Sequence, residues 1–128
     1  EQSPEVMQEV STLVIQAQSD LYEVRKMIHK IGFFIENEKF CMDAGKPYLV
    51  MRAVRGEEKT PYEPAEYEYG RLLPEVSDTA YRKFLLDERD KKMKLQETLN
   101  MQKTSGAGAR VEELTEEITG LNWILNKF

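Results

Sequence analysis

The chain has 128 residues, 41% hydrophobic and 32% charged, with a formal net charge of −5 and a single cysteine, Cys41. That is enough apolar residue for a packed core and too much for a disordered chain, and a lone cysteine excludes an internal disulfide and any multi-cysteine metal site. The acidic balance argues against nucleic acid as the main partner, because a phosphate backbone wants a basic face; the longest apolar runs, Leu13–Ile15, Phe33–Ile35 and Leu49–Met51, are far short of a membrane span.

The first element begins with a strong helix signal: Ser3 as a cap, Pro4 where no N–H is needed, and Glu5 in the first turn. With Val10 at heptad position a, Val10, Ala17, Val24 and Ile31 form the a row, and Val6, Leu13, Asp20, Met27 and Phe34 the d row. Position e is apolar throughout, at Met7, Val14, Leu21, Ile28 and Ile35. Three rows in seven predict a helix facing the core of a bundle, over about residues 4–44. Val24, Met27, Ile28 and Ile31 are its expected core, and Cys41 a small core residue. Gly32 would mark a bend or a close helix approach, and Gly45 the C-terminal cap.

Residues 47–55 follow, with Pro47 and Gly56 at the ends that a short helix prefers. Leu49, Val50, Ala53 and Val54 would share a face. The same letters are β-branched enough for a strand, but no second strand stands out to pair with them, so a helix is expected. Residues 57–74 read as an irregular loop, with Tyr62, Tyr67 and Tyr69 interleaved among Glu63, Glu66 and Glu68, and with Pro61 and Pro64 breaking any helix. Its tyrosines either cover the open end of the bundle or contact a partner, since tyrosine supplies large, stiff contact area.

Ser77 or Asp78 can cap a helix over about 77–103, whose middle, Asp87 to Lys92, is six charges in succession. The segment is the only one with a positive balance, so Arg89, Lys91, Lys92 and Lys94 form either a solvated face or a docking face for an acidic protein surface. Thr104 to Ala109 reads as a flexible turn. A last helix, about 109–127, carries the stripe Val111, Leu114, Ile118, Leu121, Leu125 and Phe128. Trp123 falls off that stripe, either covered by the tyrosine loop or exposed as an anchor.

Chemistry has little to stand on. His29 lies among Arg25, Lys26 and Lys30 and reads as a surface histidine; there is no glycine-rich phosphate loop, nucleophile motif or histidine-containing metal pattern. These residues therefore predict an all-α, up-down bundle of about four helices, a single domain, with no catalytic, cofactor or metal site. Its expected role is that of a non-catalytic accessory subunit docking on a larger protein complex through Arg89, Lys91, Lys92, Lys94, Tyr62, Tyr67, Tyr69 and Trp123. Neither nucleic acid nor membrane insertion is expected. The alternative is a small-molecule carrier or enzyme that uses the bundle interior.

The run from Leu114 to Phe128, with its apolar-x-x-apolar-Asn-x-apolar-Leu-x-Lys-apolar pattern, resembles the closing helix of the PsbQ-type extrinsic proteins of photosystem II. Pro47-Tyr48-Leu49 is similar to an early step of the same family. The resemblance implies a four-helix subunit of the thylakoid lumen that binds no cofactor of its own. The start at Glu1 rather than Met agrees with import and processing, or with a fragment.

Overall fold

The computed structural model describes residues 11–102 and 107–128. The helix-start signal at Ser3–Glu5, the apolar row positions Val6, Met7 and Val10, and the first half of the Thr104–Ala109 turn lie outside the described residues. The second half of that turn, Ala107 to Ala109, is helical and not a flexible turn. The chain divides into two compact units, residues 1–73 and 74–128.

The first unit is built on a three-stranded antiparallel sheet, so the expected all-α bundle is wrong, and with it the bundle interior on which the carrier alternative rested. Strand β1 (Thr12–Ala17) is followed by helix α1 (Leu21–Lys30), then β2 (Phe33–Asp43) and β3 (Lys46–Arg55). The sheet order is β1-β3-β2. The long helix expected over residues 4–44 shrinks to ten residues, because both irregularities in its pattern are breaks. Asp20 takes a left-handed conformation, φ 55°, immediately before α1, and Gly32, φ 86°, follows the helix directly after Ile31. Outside those breaks the apolar residues alternate. Leu13, Ile15 and Ala17 sit opposite Ala53, Met51 and Leu49 in the β1–β3 register, a period of two that a heptad count can imitate over a few residues.

The expected helix at 47–55 is strand β3, central in the sheet. Its inward row, Leu49, Met51 and Ala53, is buried to 2% exposure or less. Both strands that pair with it fall inside the span of the expected long helix. Ala44 and Gly45 connect β2 to β3 with φ values of 50° and 78°, and Asp43 faces Lys46. Two consecutive left-handed residues form the tight hairpin turn whose twist matches that of the strands, so Gly45 serves a hairpin and not a helix cap. Cys41 is half-buried on β2. Of the four residues expected in the helix core, Ile28 is fully buried, whereas Met27 and Ile31 are 50% and 37% exposed. A ten-residue helix lying on one sheet face buries one narrow stripe, not three rows.

After Gly56 the loop is less irregular than its prolines suggest. Helix α2 (Pro64–Tyr69) starts with Pro64 in its first turn, where the missing N–H costs nothing, and the Glu63 amide donates to Glu66 Oε1 at 2.8 Å. It ends at Gly70. A single turn, α3 (Leu72–Glu75), follows.

The second unit is a helical hairpin of α4 (Thr79–Gln102) and α5 (Ala107–Leu125). Asp78 Oδ1 accepts the Tyr81 amide at 2.8 Å and caps α4. Arg89 donates to Asn122, Lys92 to Glu117, and Gln96 to Thr115, a descending series that sets the helices antiparallel. Tyr81 and Leu85 on α4, and Leu114, Leu121 and Ile124 on α5, are buried. No helix among the described residues is long and apolar enough to cross a membrane.

Candidate functional site

The chemistry-bearing residues of the first unit gather where α1 and α2 meet above β2. Arg25 comes from the inward face of α1. Its Nε and Nη2 donate to Glu38 Oε1 at 3.2 and 2.6 Å, and its Nη1 donates to the Tyr67 carbonyl at 2.7 Å. Both side chains of the ion pair are 0% exposed. Glu38 faces inward because of a bulge. Ile35 pairs with Ala53 and Asn37 with Arg52, leaving Glu36 as the extra residue. An unbroken strand would turn residues 35, 37 and 39 inward; after the bulge, 38 and 40 take those places. Gly70 closes the pocket. A Cβ there would lie 3.0 Å from both Arg25 Nη2 and Glu38 Oε2.

His29, one turn after Arg25, belongs to the same cluster and is not a plain surface histidine. Its Nδ1 lies 2.8 Å from the Tyr67 hydroxyl and its Nε2 lies 3.4 Å from Glu58 Oε1. The Tyr62 ring meets it edge-on with centroids 4.7 Å apart. Burial pushes the Tyr62 phenol well above its ordinary pKa, with the carboxylates of Glu58 and Glu38 adding to the effect. Arg71 holds the segment from the other side. It makes a two-pronged contact with Glu66 at 2.8 and 3.0 Å, donates to the Thr60 and Pro61 carbonyls, and lies 4.1 Å from the Tyr62 centroid.

Above this polar floor α1 presents its outer face. Glu23, Lys26, Met27 and Lys30 line an open groove with His29 and Tyr67. The Lys26 ammonium sits 5.4 Å from the Tyr22 centroid and 5.5 Å from that of Tyr67. Tyr67 is therefore fixed at its hydroxyl and at its carbonyl, while its ring borders a groove with two lysines. Such a surface suits a ligand that is both anionic and aromatic.

Of the residues singled out from sequence, Tyr62 and Tyr67 meet in this cluster, their centroids 5.1 Å apart. Tyr69 ends α2, half-buried. The others belong to the second unit. Arg89 and Lys92 turn toward α5, onto Asn122 and Glu117, while Lys91 and Lys94 remain exposed. Trp123 is half-buried with the Lys127 ammonium 4.6 Å from its ring. Sequence reasoning missed Arg25, Glu38, Glu58, Gly70 and Arg71. Only Gly70, standing at the end of a Tyr/Glu run, carried a readable signal. Among the described residues no cluster of histidine, cysteine or carboxylate is placed to hold a metal.

The family model for tRNA (adenine(22)-N(1))-methyltransferase matches residues 1–122. No curated protein matches the sequence. Three solved structures share the fold. An uncharacterised Listeria monocytogenes protein superposes with a TM-score of 0.84 at 16% identity, over 93% of this chain and 53% of its own. The Bacillus subtilis M1A22 tRNA methyltransferase TrmK gives 0.75 at 18%, over 89% and 51%. A putative tRNA (m1A22) methyltransferase of Streptococcus pneumoniae, in complex with S-adenosyl-L-methionine, gives 0.69 at 20%, over 91% and 48%. The chain spans about half the length of these structures.

The family match overturns the resemblance to PsbQ-type subunits, which rested on an amphipathic pattern shared by many helices, and the thylakoid-lumen placement falls with it. It also overturns the reading as a non-catalytic accessory of a protein complex and the exclusion of nucleic acid, because the family's enzymes are methyltransferases of tRNA. The chain belongs to the tRNA (adenine(22)-N(1))-methyltransferase family.

Proposed function

We propose that this chain works as part of a tRNA methyltransferase acting on N1 of adenosine 22, and that its described residues face the RNA and not the methyl donor. The family match over residues 1–122 carries the reading. The donor is S-adenosylmethionine in one solved neighbour, and the described residues do not fit it. A nucleotide-type cofactor wants a glycine-rich turn between a strand and a helix, with helix N–H groups free. The left-handed glycines among the described residues are committed elsewhere: Gly32 after α1, Gly45 in the hairpin, Gly56 at the end of β3, and Gly70 against the buried ion pair. No step of methyl transfer is therefore assigned to these residues. Their part is to hold a stiff aromatic and cationic surface in place, through the Arg25–Glu38 pair and the anchoring of Tyr67.

Deleting the coding sequence from the source organism tests the reading. N1-methyladenosine blocks reverse transcription, so the stop at adenosine 22 of the tRNA should disappear and return when the gene is restored. A stop that persists in the deletion strain would overturn the proposal.

A further inference from the structure

We infer that the groove between α1 and α2 is a single-stranded RNA subsite, in which Lys26 and Lys30 hold phosphates and Tyr67 and Met27 hold an unpaired base. The inference rests on the tRNA reading above and names the surface that touches the RNA.

Neither unit is basic. Residues 1–73 carry nine Lys/Arg against thirteen Asp/Glu, and residues 74–128 carry nine against ten. RNA contact by this chain must therefore be local. In the helical hairpin, Arg89, Lys92 and Arg110 are drawn onto Asn122, Glu117 and Glu113. On α1, by contrast, Lys26 and Lys30 stand exposed four residues apart on one helix face, and neither forms an ion pair with a carboxylate of the described residues. The Lys26 ammonium is held over aromatic faces and not over an acid, at 5.4 and 5.5 Å from Tyr22 and Tyr67.

A cationic groove bordered by stacking rings is how proteins take unpaired nucleotides, since every base has a π-face and each phosphate releases counterions when neutralised. Tyr67 is suited to that task. With its hydroxyl on His29 and its carbonyl on Arg25, the ring needs no further ordering when a base arrives. Met27, half-exposed beside it, supplies a soft apolar surface. An incoming base takes the place of the Lys26 ammonium over the Tyr67 ring, and the ammonium moves to the adjoining phosphate. Glu23, which lines the same groove, favours a run of few phosphates over a long backbone track.

The test uses the full chain and a fluorescein-labelled, mixed-sequence RNA decamer, followed by fluorescence anisotropy at several salt concentrations. Lys26→Ala/Lys30→Ala should weaken binding about tenfold or more and flatten the log–log salt dependence by about 1.4, at about 0.7 for each single-strand phosphate that is no longer neutralised. Lys91→Ala/Lys94→Ala should leave binding unchanged. With 4-thiouridine in the RNA, crosslinks should map to the peptides holding Met27 and Tyr67. Unchanged affinity in the α1 variant, or crosslinks confined to α4 and α5, would overturn the groove while leaving the methyltransferase reading intact. So would equal competition by a polyglutamate peptide, which would assign the groove to an acidic protein. If the wild-type chain binds no RNA, the groove is refuted, and the adenosine-22 stop alone decides the broader reading.

Discussion

Arg25 and Glu38 meet at 2.6 Å, thirteen residues apart in sequence, with neither side chain reaching solvent. One guanidinium thereby joins α1 to β2 through Glu38 and to α2 through the Tyr67 carbonyl. A buried pair of this kind does more to select an arrangement than to stabilise it, because desolvation offsets much of its attraction. Removing one partner is another matter. Arg25→Met should cost about 3–5 kcal/mol, since it strands a carboxylate in the interior. Arg25→Met/Glu38→Leu should recover much of that loss. Urea unfolding of the three proteins checks it: a double variant as unstable as the single one would show that packing volume, not charge, dominates the site.

Gly70 offers a sharper comparison. Its backbone, φ 98° and ψ 151°, lies in a region reached essentially by glycine alone, and an added methyl would press on Arg25 and Glu38 at 3.0 Å. Gly45 also has positive φ, but a Cβ there meets nothing within 4 Å. Gly45→Ala should therefore lose about 1–2 kcal/mol from backbone strain, and Gly70→Ala clearly more, with disturbed spectroscopic signals from Tyr67. Equal losses in denaturant titrations would mean that the ion pair yields without cost.

These two sites show how much is legible in the residues alone. The helical hairpin is within reach. The last segment shows a full apolar stripe from Val111 to Phe128. Helix α4, whose charged middle weakens its stripe, is marked by the cap at Asp78 and the absence of breakers after it. The sheet is not. Leu13-Val14-Ile15 and Phe33-Phe34-Ile35 are too short for a period of two to be told from one of 3.5, and the breaks at Asp20 and Gly32 look like tolerated flaws within a single long pattern. Once β1 and β2 are missed, β3 has no partner, and one error becomes three. The ion pair is hidden for a second reason: a bulge at Glu36 decides that Glu38 faces inward, and nothing in the residue types marks the bulge. Arg25 and His29 then look like members of an exposed charged face.

Tyr62 tests the cost of a buried hydroxyl. The ring is packed against His29, Tyr67 and Arg71, but its hydroxyl lies buried without a hydrogen-bond partner among the described residues. Tyr62→Phe keeps the ring and removes the unsatisfied group, so stability should stay level or rise by up to about 1 kcal/mol. Thermal unfolding in parallel with wild type would decide it, and a loss above about 1 kcal/mol would reveal a bonded hydroxyl.

The last expectation concerns acid. Glu117 on α5 is partly buried, which by itself would raise its pKa, but hydrogen bonds and charge from Lys92 and Arg110 outweigh the burial and hold it below its ordinary 4.5. Lys92 Nζ lies 2.8 Å from Oε1 and Arg110 Nη1 lies 3.0 Å from Oε2. A carboxyl whose pKa is lower in the folded state stabilises that state above its unfolded pKa. The contribution is lost as pH falls from the unfolded value through the folded one, because over that window the unfolded chain binds more protons than the folded one. Glu117→Gln should therefore be less stable than wild type at neutral pH, and the two should converge below about pH 4.5. Since the Glu117 side chain is about a third exposed, the difference should be modest and should shrink with added salt. Thermal melts of both proteins between pH 3 and 7, at low and high salt, are the measurement. A gap that stays constant across that range would show that Glu117 contributes through packing and neutral hydrogen bonds, and not through its charge.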